Sequence, residues 1–109
     1  MTSHKRLLAA VAVALFAGTA YAECTLPPAP SKIPDGNSAS ESEMVGAMQT
    51  LKQYDGDVNV YLKCLEFESK QNRLSSSERE RMHNSAVEQL QKVAAKFNEQ
   101  VRTFKAKSG

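Results

Sequence analysis

This 109-residue chain is short of the groups that do chemistry. It holds two cysteines and two histidines, and His83 is the only histidine beyond residue 22. Neither cysteine nor an acid sits beside His83 in a nucleophile motif, and no serine lies in a Gly-x-Ser-x-Gly elbow. A hydrolase or metalloenzyme needs groups that are missing, so no enzymatic activity, cofactor or metal is expected. Two sulfurs without a nearby histidine also make a poor zinc site.

Apolar runs are scarce as well. Leu7 to Ala20 is the longest, and it falls short of the roughly 20 residues a spanning helix needs. Lys5 and Arg6 precede it, and Ala20-Tyr21-Ala22 places small residues at −3 and −1 of a cleavage site. This is the pattern of a secretory signal peptide over residues 1–22, leaving a chain with no stable membrane insertion, periplasmic or secreted. Glu23 directly precedes Cys24, where a lipoprotein signal would carry a small residue, so Cys24 is not expected to be lipidated.

An excess of either charge is missing too. The net charge of +2 (14 Lys and Arg against 12 Asp and Glu) is carried entirely by Lys5 and Arg6. The chain from residue 23 onward is balanced, which removes the basic-surface argument for nucleic acid. The charge is unevenly spread, however. Residues 40–73 hold six acids and four bases, residues 77–109 four acids and seven bases, so two helices there can lie side by side without repulsion.

An exported chain with an even number of cysteines implies a disulfide, here Cys24–Cys64. Proline is confined to Pro27, Pro28, Pro30 and Pro34. Residues 23–39 therefore form an extended or polyproline II arm that turns at Pro34-Asp35-Gly36-Asn37. Cys64 lies about 36 Å along a helix starting near residue 40. The arm reaches about 50 Å, enough to double back and close the bridge.

Residues 40–109 predict a helical hairpin, with helices over about 40–73 and 77–106. Ser40 and Glu43 form a capping box. Met44, Ala47, Leu51, Tyr54, Val58, Tyr61 and Leu65 then alternate spacings of three and four, a coiled-coil seam held in phase through Gly56. Asp55-Gly56-Asp57 resembles a turn, yet the unbroken phase favours one continuous helix. Ser75-Ser76-Ser77 supplies the linker, with Ser77 and Glu80 expected to cap the second helix. Met82, Ala86, Leu90, Val93, Phe97, Val101 and Phe104 form its apolar stripe. A short linker makes the helices antiparallel neighbours. The fold class is all-α: a two-helix antiparallel hairpin with a disulfide-pinned, proline-rich N-terminal arm.

Three local patterns suggest binding. Asp55, Asp57, Asn59 and Glu66 fall at EF-hand positions 1, 3, 5 and 12, but Val60 stands where the sharp turn requires glycine, so no calcium site is expected. Tyr54 and Tyr61 could form a ligand platform, although aromatics at seam spacing usually belong to a core. Arg102 to Lys107 could meet anionic lipid or glycan, or simply complement the helix dipole.

The ordered set Cys24-x-x-Pro27-x-x-Pro30, Pro34-Asp35-Gly36, Glu43-Met44 and Tyr61-x-x-Cys64-Leu65 resembles a group of small exported proteobacterial proteins of unknown function. The resemblance covers the arm and first helix, about half of the chain beyond residue 22. It implies a cell-envelope or secreted location and a continuous first helix, and it implies no activity. Asp55-Gly56-Asp57 is less helical than the group's middle segment.

The functional expectation is a non-catalytic exported protein acting by helix-mediated association, with itself or with another envelope protein. The alternative is a small binding module for a ligand or polyanion. A lone helix pair leaves much of each seam open, and the arm carries only Leu26, Ile33 and its prolines as apolar cover. It is expected to shield one side of the first helix but not both helices. Leu90, Phe97, Val101 and Phe104 are the expected interface, the last three beside Met44, Ala47 and Met48 in the hairpin.

Overall fold

The computed structural model describes residues 24–108. The signal-peptide reading of residues 1–22 lies outside them. Two helices, α1 (Glu41–Lys70) and α2 (Ser76–Ser108), pack as an antiparallel hairpin, and no strand occurs among the described residues.

Local chemistry sets the ends of both helices. Ser40 sits in extended backbone; its Oγ accepts from the Glu43 N–H at 3.0 Å, and Glu43 Oε1 accepts from the Ser40 N–H at 2.8 Å. This reciprocal box satisfies two donors that a helix start leaves free. α1 stops at Lys70, three residues before the position expected from the seam, because Asn72 adopts a left-handed φ of 61°. The Asn72 N–H then reaches Ser69 O and the Arg73 N–H reaches Glu68 O, a Schellman closure. Asparagine tolerates that conformation better than most residues.

α2 is capped by Ser75 rather than Ser77. The Glu78 N–H donates to Ser75 Oγ at 3.1 Å, and the Arg79 N–H to Ser75 O at 2.9 Å. The early end of α1 brings the chain into the hairpin turn sooner, so the first serine of the run takes the cap.

α1 passes unbroken through Gly56, where a Cβ would have nothing within 4 Å apart from its chain neighbours and the helix's own backbone. An added Cβ meets nothing there and removes backbone entropy from the unfolded chain. Gly56→Ala is expected to raise stability by about 0.5–1 kcal/mol, read as a higher thermal midpoint in far-UV circular dichroism.

The core runs along the seam. Tyr54, Val58, Tyr61 and Leu65 of α1 bury against Ala86 and Val93 of α2, with Val58 and Leu65 fully enclosed. Nearer the start of α1, Met44 and Phe97 close over Ala39.

The arm lies over both helices, which corrects the expectation that it would shield only the first. Cys24 and Ala29 pack on the larger core cluster, and Ile33 touches both clusters. The arm turns through Asp35, which accepts from Asn37 N–H at its side chain and from the Ser38 and Ala39 N–H groups at its carbonyl. Gly36 is buried against α2, its N–H donating to Gln100 Oε1 at 2.7 Å. Lys107 Nζ donates to Asn37 O at 2.8 Å. Few apolar side chains are needed for this docking, because it is made by backbone groups and one glycine. Leu26, counted on as apolar cover, stays half exposed.

Candidate functional site

The disulfide is present: Cys24 and Cys64 are bonded, with their Cα atoms 5.5 Å apart. Beside it lies Glu68, the one charged residue buried among the described residues. Glu68 continues the apolar seam of α1, so helical phase carries it inward. Its two oxygens accept from Arg73 Nε at 2.7 Å and a second guanidinium nitrogen at 3.1 Å, and the same guanidinium lies 5.8 Å from the Phe67 ring. The two sulfurs and the Glu68 carboxylate lie within 4.8 Å of one another, the spacing of metal ligands. Bonded to each other, however, the sulfurs have no thiolate to offer, and the carboxylate is engaged by Arg73.

The Arg73 hydrogen bonds hold the Glu68 carboxyl below the usual carboxylate range, against the opposing effect of burial. A pKa depressed on folding adds stability above the unfolded value, and that stability is lost as pH falls through the folded value. Between about pH 5 and pH 3, wild type should therefore lose more thermal stability than Glu68→Gln. Parallel losses in thermal melts of the two proteins would remove this role from the pair.

The remaining residues singled out in the sequence are dispersed. Tyr54 and Tyr61 are buried in the core, and Tyr61 also edges a hollow beside Cys24 and Pro27. Burial pushes both hydroxyl pKa values up, and the charge of Arg81 partly offsets this at Tyr61. Asp55, Asp57, Asn59 and Glu66 stand exposed on continuous helix, with Gln53 Nε2 donating to Asp57 and Asn59 Nδ2 to the Asp55 carbonyl. His83 is half-buried on α2, its Nδ1 3.4 Å from Asn84 Oδ1. Of the basic tail, Lys107 is committed to the arm turn.

An apolar groove is the most distinctive open feature. At 100° per residue, Glu43, Ala47, Tyr61 and Cys64 share the flank of α1 that the arm covers, and Met48, Lys52 and Asp55 share the opposite flank. On that second flank α1 and α2 leave a shallow channel. Its α2 wall includes Leu90, Ala94 and Val101, and no arm residue reaches it. Val45 and Met48 form the α1 wall and are 44% and 41% exposed.

The chain matches no family model, no curated protein and no solved structure.

All four expected interface residues meet in this groove, in unequal roles. Leu90, Val101 and Phe104 are half-buried along it. Phe97 is 7% exposed, packed with Ala39 and Met44, and serves as floor rather than contact surface. Val45 is the groove residue that sequence reasoning missed. Met48 lies beside Phe97, Val101 and Phe104 as the hairpin implied, one step off the seam. The four-residue spacing from Met44 to Met48 to Lys52 carried that signal, since it tracks one side of the seam rather than its centre.

Proposed function

We propose that this is an exported, non-catalytic protein that works in the cell envelope by helix-mediated association, through the groove between α1 and α2. The observation that carries this reading is the exposure of Val45 and Met48 beside Leu90 and Val101, a continuous apolar strip on a small protein. Helical walls and apolar anchors spaced by three and four residues suit an amphipathic helical partner. The Cys24–Cys64 bond supports an oxidising compartment. Among the described residues, no helix is long and apolar enough to cross a membrane.

The test is chemical crosslinking in the native envelope, comparing wild type with a Val45→Asp, Met48→Asp double variant. Both side chains are exposed, so helicity should be retained. Wild type is expected to give a crosslinked species that falls at least about tenfold in the variant, since a charge buried in an apolar contact is strongly disfavoured. If wild type remains uncrosslinked, or the variant crosslinks equally well, association through this groove is wrong.

A further inference from the structure

We infer that the groove's occupant is a second copy of this chain, seated about a two-fold axis parallel to the helices so that α1 of each copy lies on α2 of the other. The inference rests on the association reading above and names its partner. Its warrant is the pattern of charge around the groove.

At one end Glu41 and Lys105 line the same stretch, one on each wall. At the other end α1 contributes Lys52 and Asp55, facing Gln91 of α2, with Asn98 midway along the groove. Two flat hairpins can meet face to face about either of two axes. An axis across the helices lays α1 on α1, and because the groove is centred near Met48, it sets Glu41 of one copy over Asp55 of the other. That stacks two acids at each end of the contact. An axis along the helices preserves height and exchanges walls, so Glu41 meets Lys105 of the second copy at the same level. Asp55 and Lys52 then meet the neutral Gln91. Glu41 and Lys105 are thus the one opposite-charge match along the contact, made twice by the two-fold axis.

The arm explains why such an assembly would close at two. It fills the opposite flank of the hairpin through Cys24, Ile33 and Gly36, so the channel between α1 and α2 is open on one side, and the exposed Val60 and Phe67 lie apart from it on the outer face of α1. A self-complementary face on a two-fold axis is satisfied by one partner. The apolar strip from Glu41 to Asp55 is about 20 Å long. Across two helices about 9 Å apart, it falls in the small, transient class of interfaces. The rim charges select the arrangement, while Val45, Met48, Leu90 and Val101 supply the affinity.

The experiment uses the purified, oxidised exported chain without other proteins. Sedimentation equilibrium across the micromolar range should show the weight-average mass rising toward twice the monomer value. In Met48→Asp, the same rise should need at least about tenfold more protein. Mixing unlabelled and nitrogen-15-labelled chains and treating them with a zero-length carboxyl–amine crosslinker should give Glu41–Lys105 links between differently labelled chains. A monomer throughout the range overturns the inference. So does a dimer indifferent to Met48→Asp, or one whose interchain links exclude Glu41–Lys105. The association reading is judged separately: a purified monomer whose envelope crosslinks still vanish in the double variant would refute the second copy and retain a different helical partner.

Discussion

Replacing both cysteines with serine is expected to lower the thermal midpoint of the chain from residue 23 onward by roughly 15–30 °C. The bridge spans 40 residues of sequence. Closing a loop of that length restricts the unfolded chain by about 4 kcal/mol in the chain-entropy description. In a domain of this size, each kcal/mol corresponds to about 4–8 °C. The folded state suffers as well, because Cys24 is the outer anchor of an arm that contributes backbone more than apolar area. A hairpin of two helices with one narrow core has little stability in reserve. Far-UV circular dichroism melts of wild type and the double variant, both under non-reducing conditions, measure the difference. A drop of only a few degrees would mean that the arm is held by its turn and that the bridge constrains little.

Gly36→Val is expected to be strongly destabilising and to release the arm turn from α2. An added Cβ would collide with the Gln100 carbonyl oxygen and press on the Phe104 amide and Thr103 Cβ. Two of those three groups belong to the backbone of α2, which cannot yield without breaking helix hydrogen bonds. Overpacking of this kind costs about 1–3 kcal/mol, equivalent to roughly 5–20 °C. Undocking would also remove the Gly36 N–H bond to Gln100 and the Lys107 bond to Asn37. The arm would remain tethered at Cys24, so its turn should become open to proteolysis while both helices persist. Gln100→Ala separates the two effects: it removes the hydrogen bond and leaves the steric fit, with an expected loss of about 1 kcal/mol. Equal stability of Gly36→Val and wild type would show that the turn does not seat against α2.

The two predictions test features of different legibility. The disulfide could be read directly, since a chain with two cysteines allows one intramolecular pairing. For Gly36, the Pro34-Asp35-Gly36-Asn37 run announced a turn, but its docking partner lies 64 residues away. The sequence around Gly36 gives no sign that α2 approaches closely enough to exclude a Cβ. Undervaluing the arm followed from the same gap. Its apolar side chains were counted, whereas its attachment comes from backbone donors, one lysine and the absence of a side chain at residue 36. Glu68 is similar. Its place on the seam was visible, but its burial depends on Arg73, which the left-handed turn at Asn72 brings back over the helix end.

The sequence by itself determined the two helices, the α1 cap, the continuity through Gly56 and the covalent closure. Each of these follows from rules that act within a few residues or from a count: a serine three positions before a glutamate, apolar residues in helical phase, an even pair of thiols. Even the identity of the apolar stripe at Leu90, Phe97, Val101 and Phe104 was available, because periodicity is a property of one helix about its own axis. Tertiary structure alone decided which flank of that stripe the arm would cover and which would stay open. Helical phase orients a side chain relative to its own helix, and it is silent about the side from which a third segment approaches. That side was selected where Gly36 could meet the backbone of α2 while Cys24 reached Cys64, and Val45 and Met48 were left exposed on the other.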